Sequence, residues 1–108
     1  MDEQERVAAF VAEHELGAPP AYRLLDVVSE LGEVAKNATE STDYGGSPSA
    51  LEVEEDELGD VLFALLALAE AVDIDAGEAL DTALGKYERR IDSSGRPASG
   101  GHADDGTE

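Results

Sequence analysis

The sequence predicts an all-α domain of four helices. Three observations carry that reading. Apolar residues recur at spacings of three and four in four separate stretches, the signature of amphipathic helix. Alanine, the strongest helix former, occurs 17 times in 108 residues. The breaks between stretches hold the helix-stopping residues, Gly17-Ala18-Pro19-Pro20 and Gly45-Gly46-Ser47-Pro48. A chain of this length suits one domain, and one this short buries only about two-thirds of its unfolded surface. Leu, Ile, Val and Phe together number 24, which is close to the lower limit for a packed core. The expected outcome is a small helical domain that oligomerises to complete a helical bundle.

Each element follows from its own pattern. Residues 3–15 place Val7, Phe10 and Val11 at helical spacing, and Gly17 suits the C-cap. From about Ala21 to Thr39, Leu24, Val27, Val28, Leu31, Val34, Ala35 and Ala38 form one strong amphipathic helix. Residues 40–48 read as a loop. Ser47-Pro48 then reads as an N-cap with Pro at the first helical position, which predicts a third helix from Pro48 to Val72. Its second half, FALLALAEAV, is apolar nearly all round, and that points to a subunit interface. Asp75 and Glu78 have capping-box spacing and open a fourth helix to about Ile91. The predicted domain is residues 1–92. Residues 93–108 are rich in Gly, Ser, Pro and Asp and read as a disordered tail.

Charge removes several function classes. Seven Lys+Arg against 26 Asp+Glu give a net charge of −19. Phosphate-backbone binding needs Lys and Arg, so a nucleic acid polymer is not an expected partner. An anionic membrane surface would repel the chain, and no run of 18 apolar residues offers a span. The absence of cysteine removes disulfides, Cys-based zinc sites and thiol catalysis. MDEQER has no apolar signal region, so the cytoplasm is the expected location. Lys occurs only twice and the acids are spread along the chain. That pattern resembles proteins of salt-loving organisms, in which concentrated salt screens the self-repulsion.

Two segments carry the candidate chemistry. Glu30-Leu31-Gly32-Glu33 lies on the second helix and Glu57-Leu58-Gly59-Asp60 on the third, with 23 residues between them. Carboxylates at i and i+3 share a helix face. Two such pairs on neighbouring helices can converge, and an oxygen-only cluster suits a hard divalent ion. Like charges held together call for a compensating cation. A chain in which nearly a quarter of residues are acidic also produces such pairs by chance. Spacing alone therefore leaves two readings open, a metal site and ordinary solvated faces. Gly32 and Gly59 each cost up to about 1 kcal/mol against Ala in a helix. Each permits close approach of either a ligand or a packed helix.

With these segments in place the chain resembles the MazG family of nucleoside triphosphate pyrophosphohydrolases. The likeness rests on LLDVVSELGEVAKN (24–37), EEDELGDVLFALLALAEAVDID (54–75) and KYERR (86–90). It implies the all-α fold of that family and hydrolysis of the α–β bond of nucleoside triphosphates, giving monophosphate and pyrophosphate. It also implies Mg²⁺, with Mn²⁺ as a substitute, held by Glu30, Glu33, Glu57 and Asp60, which would serve as both metal ligands and catalytic groups. Lys86 with Arg89 or Arg90 would fall on the family's basic positions. Family members usually carry Glu directly before the first motif glutamate, where this chain has Ser29.

Bottom-up reading adds Lys36 as a further cation for the phosphates. Asn37, one turn beyond Glu33, is placed to orient a ligand or water, or to serve as a polar surface residue or a C-cap. Helix-dipole complementation is the competing role for Lys86, Arg89 and Arg90. The expected assembly is a homodimer or a dimer of dimers. Two other functions compete: phosphoribosyl-ATP pyrophosphohydrolase, and a non-catalytic acidic interaction module. The Asp73-x-Asp75-x-Gly77 run fails as a calcium loop, because the Gly falls one position early and no Glu closes it.

Overall fold

The computed structural model describes residues 2–94. Four helices follow in order: α1 Asp2–Glu13, α2 Pro20–Ser41, α3 Glu55–Ala71 and α4 Ala76–Ser94. Among the described residues there is no strand. No helix there is long and apolar enough to cross a membrane. Residues up to Asp75 form one compact unit, and α4 belongs to a second. The expected tail lies outside the described residues from 95 onward, while Ser93 and Ser94 continue α4.

Within the first unit, α1 and α2 both pack on α3. Both run antiparallel to it. On α1, Gln4 Nε2 donates to Glu70 Oε2 at 2.9 Å and to the Ile74 carbonyl at 2.8 Å. Two turns later the Phe10 ring meets the Phe63 ring edge-on, with centroids 6.0 Å apart. On α2, Asn37 near its C-terminal end pairs with Glu57 near the start of α3. The buried core is small: Ala64, Leu66 and Ala67, all on α3. Short alanine side chains on α3 let two helices approach it closely, which suits a chain with few large apolar residues.

The helix ends differ from expectation in an informative way. Gly17 does not cap α1. Glu15 takes the left-handed position instead (φ 54°). Leu16 N–H bonds the Val11 carbonyl and Glu15 N–H the Ala12 carbonyl, the paired bonds of a Schellman motif. Asp43 (φ 54°) and Asp73 (φ 59°) do the same after α2 and α3. Three acidic residues thus hold a conformation usually given to glycine.

The third helix is also shorter than the predicted span from Pro48 to Val72. Ser47-Pro48 does start helical turns, but only a 3₁₀ segment, Pro48–Ala50. Residues 51–54 then leave helical geometry, and α3 starts at Glu55 after Glu54 (φ −78°, ψ 144°). Electrostatics explains the delay. A helix from Pro48 would stack Glu52 on Glu55 and Asp56, and Glu54 on Glu57, as like-charge neighbours. Starting at Glu55 puts Glu55, Asp56 and Glu57 in the first turn, where the helix dipole favours negative charge.

Helical rotation of about 100° per residue sorts the faces of the α2–α3 hairpin. The row Arg23, Val27, Glu30, Val34, Asn37 and Ser41 turns toward α3 and is buried or half-buried. A second apolar row, Leu24, Val28 and Leu31, is exposed, and so are Leu58, Leu62 and Leu65 on α3 and Val72 at its C-cap. Both exposed rows lie on one side of the hairpin. α1 covers the opposite side, and Leu62 lies where the two sides meet, lining a groove with α1. The exposed rows follow alternate spacings of three and four, the pattern of a helix-packing seam.

Candidate functional site

Each motif glutamate nearest the α2–α3 seam is half-buried: Glu30 from α2 and Glu57 from α3. Glu33 and Asp60, one turn on, are exposed. By helical rotation Glu33 and Asp60 both turn to the side of the hairpin on which α1 lies, away from the exposed apolar rows. The carboxylates and the apolar rows therefore occupy opposite sides of the hairpin.

Asn37 holds the seam together. Its Nδ2 donates to Glu57 Oε2, joining the two motif helices. The sequence left Asn37 between a ligand-orienting role and a surface role. The structure gives it a carboxylate to orient. A donor amide on an ionised carboxylate is a charge-assisted bond, stronger than a neutral one. It fixes one oxygen of Glu57 and leaves the other free to accept.

The donor set has the chemistry of a hard-cation site: four carboxylates and an amide oxygen, with no nitrogen or sulfur ligand. Among the described residues, no three of His, Asp or Glu are gathered closely enough to hold an ion. The motif side chains stand apart around the seam, Glu33 and Asp60 exposed and Glu30 and Glu57 half-buried. Lys36 is exposed on α2. Lys86, Arg89 and Arg90 lie on α4, the first two exposed and Arg90 half-buried, with the Arg90 guanidinium 5.8 Å from the centre of the Tyr87 ring.

The two motif glycines now separate from one of their readings. A Cβ added at Gly32 or Gly59 meets nothing within 4 Å. Close helix packing within this chain therefore does not account for either. Gly59 lines a cavity of about 460 Å³ between α1 and α3, whose lining includes Phe10, Leu62, Phe63 and Leu66 together with the charged Glu3 and Arg6.

Sequence reasoning missed two buried polar residues. Gln4 and Arg23 are under one-tenth exposed. The Arg23 guanidinium donates to the Leu16 carbonyl and lies 3.9 Å from Asp26, tying the α1–α2 connection to α2. Both had a signal. Gln4 precedes Val7 and Val11 at spacings of three and four, and Arg23 precedes Val27 by four, so each sits in register with a buried row.

Comparison with known proteins agrees with this architecture. Residues 21–93 match the model of the MazG nucleotide pyrophosphohydrolase domain. The Bacillus subtilis (strain 168) protein YpjD, itself uncharacterized, is 32% identical over 94 residues, spanning 82% of this chain and 83% of YpjD. The crystal structure of YpjD, described as a candidate pyrophosphatase, superposes with a TM-score of 0.67 at 33% identity, covering 82% of this chain and 92% of that one. The match spans both acidic motifs and the hairpin that carries them, and on that basis the chain belongs to the MazG nucleotide pyrophosphohydrolase family.

Proposed function

We propose that this protein hydrolyses nucleoside triphosphates to monophosphate and pyrophosphate in a Mg²⁺-dependent reaction, as housecleaning of the nucleotide pool. The observation that carries the reading is the Asn37–Glu57 bond. It brings the two acidic motifs to one seam, in a chain whose family model is that of a nucleotide pyrophosphohydrolase.

Glu30, Glu33, Glu57 and Asp60 would hold the ion, and their oxygen-only chemistry fits Mg²⁺ or Mn²⁺. The ion would supply charge neutralisation for the triphosphate and a more acidic water. The protein's own groups do the rest. Asn37 holds Glu57 in one orientation. A carboxylate oxygen not engaged in binding takes the proton of the attacking water. Lys36 on α2 offers a cation to the leaving pyrophosphate, and the resemblance to the family assigns the same role to Lys86 with Arg89 or Arg90. Water attacks the α-phosphorus, the bond from that phosphorus to the α–β bridging oxygen breaks, and the electron pair leaves with pyrophosphate.

The exposed rows on α2 and α3 support a homodimer in which two hairpins form a four-helix bundle. The carboxylates remain accessible in such an assembly, because they lie on the other side of the hairpin. An acidic surface with few lysines fits work in concentrated salt.

The test is ³¹P NMR of the products from a panel of nucleoside triphosphates with Mg²⁺, for the protein and its Glu30→Gln and Asp60→Asn variants. Monophosphate plus pyrophosphate, lost in both variants, supports the reading. Diphosphate plus phosphate overturns it. Turnover of phosphoribosyl-ATP alone would move the assignment to that substrate.

A further inference from the structure

Ser41, the last residue of α2, closes the connection to α3. Its hydroxyl donates to the Ala38 carbonyl at 2.8 Å, and its oxygen accepts the Glu52 N–H at 2.9 Å, eleven residues ahead. With its hydrogen committed to Ala38, the hydroxyl can only accept toward Glu52, so the bond has a fixed direction. The residues between fold back on themselves. Thr42 Oγ1 donates to the Thr39 carbonyl and accepts the Gly45 N–H, and the Ser47 N–H bonds the Thr42 carbonyl. The result is a compact loop whose two ends meet at one hydroxyl.

That bond bears on where α3 begins. In a helix running on from Pro48, the Glu52 N–H would bond the Pro48 carbonyl four residues back. The Pro48 carbonyl takes the Leu51 N–H instead, and Leu51 is extended (φ −54°, ψ 131°). Charge repulsion disfavours the longer helix, and Ser41 gives the Glu52 N–H another acceptor. Five residues on, Glu57 meets Asn37, which stands one turn before Ser41 on the same row of α2. The α2 helix therefore grips the entry to α3 at two points. One bond would leave a pivot; the second sets which residue begins α3. A start shifted by one residue turns the first turn by about 100° and carries Glu57 off the seam.

We propose that Ser41 is a positioning residue for the acidic site: through the Glu52 N–H it fixes the register in which α3 presents Glu57 and Asp60 to α2. This rests on the Mg²⁺-dependent reading above and adds a group outside both acidic motifs. Ser41 acts through the backbone of α3 and not on the ion or the substrate.

The experiment takes ¹⁵N-labelled wild type, Ser41→Ala and Ser41→Thr through a MgCl₂ titration at constant ionic strength, with thermal unfolding and nucleoside triphosphate hydrolysis measured on the same proteins. Before metal is added, Ser41→Ala should move the Glu57 and Asp60 amide signals, although neither lies near it in sequence. Ser41→Thr, which keeps the hydroxyl, should leave them in place. The Mg²⁺ concentration for half-saturation should rise about fivefold in Ser41→Ala, the worth of one hydrogen bond. At saturating Mg²⁺ its kcat should stay within about twofold of wild type, and Ser41→Thr should show neither change. Glu52→Pro removes the same bond from its donor end, and Leu51 already holds the extended geometry that a following proline requires. It should reproduce the rise, and the double variant should be no worse than either single one. A Ser41→Ala protein that melts lower but keeps the wild-type Glu57 signal and Mg²⁺ half-saturation overturns the proposal, because Ser41 then only stabilises the loop. So does Ser41→Thr behaving like Ser41→Ala. Wild type that does not respond to Mg²⁺ at all overturns the parent reading, and the positioning role with it, and is visible before any variant is compared.

Discussion

Replacing Asn37 with Asp tests the seam directly. The Asn37 amide donates to Glu57, and both side chains are half-buried between α2 and α3. Asn37→Asp keeps the size and removes the donor. It also sets two negative charges against each other at hydrogen-bond range. At about 4 Å such a pair costs about 1 kcal/mol in water and about 4 kcal/mol at the effective dielectric of a protein surface. A half-buried pair that can partly swing apart should lose about 1–3 kcal/mol. For a domain near this size that is a fall in Tm of roughly 5–20 °C. Asn37→Ala is the control. It loses one hydrogen bond, about 1 kcal/mol, and leaves Glu57 to water. Thermal unfolding followed by circular dichroism, in dilute KCl without divalent ions, should rank wild type above Asn37→Ala and Asn37→Ala above Asn37→Asp. The gap to Asn37→Asp should narrow in molar KCl, where the Debye length is about 3 Å. An Asn37→Asp protein as stable as wild type in dilute KCl would refute the reasoning, since the two motifs would then not be in contact.

Three further outcomes follow from the same geometry. Asp73→Gly should stabilise the protein by about 1 kcal/mol, read from its denaturation midpoint, because it relieves a left-handed Asp and removes a negative charge from the C-terminal end of α3. Leu65→Asp, on the exposed row of α3, should halve the mass of the proposed homodimer seen by sedimentation equilibrium while leaving the helical circular dichroism unchanged. Arg23→Ala should cost about 2 kcal/mol, seen in urea unfolding, since it deletes the tie to the Leu16 carbonyl and empties a buried volume.

Much of this molecule was legible in its sequence, and the reasons differ by element. α2 was readable because its apolar spacing is unbroken and prolines sit at its start. The start of α3 was misread because Ser47-Pro48 is a sound local signal, while the acids from Glu52 to Glu57 act over several residues and favour a later start. Gly17 was the expected stop for α1, but the Schellman geometry was taken up two residues earlier by Glu15, a residue whose type gives no hint of it. The acidic motifs were visible as spacing. Their meeting across the seam was not, because that depends on the register of α2 against α3, which one pair, Asn37 and Glu57, makes visible. The cavity beside Gly59 was foreshadowed only as an unexplained helix glycine; one of its walls comes from α1, more than 40 residues away in sequence.

The central claim is that two acidic pairs on α2 and α3 act as one cation site, and metal-dependent stability tests it most directly. Thermal unfolding should be compared in millimolar MgCl₂ and in KCl of equal ionic strength, for wild type and for Glu57→Gln with Asp60→Asn. At ten times Kd a bound ion stabilises the folded state by about 1.4 kcal/mol. The account predicts that wild type gains this from Mg²⁺ beyond what KCl gives, and that the double variant gains nothing extra. Equal gains from the two salts in wild type would contradict it and leave the carboxylates as solvated helix faces.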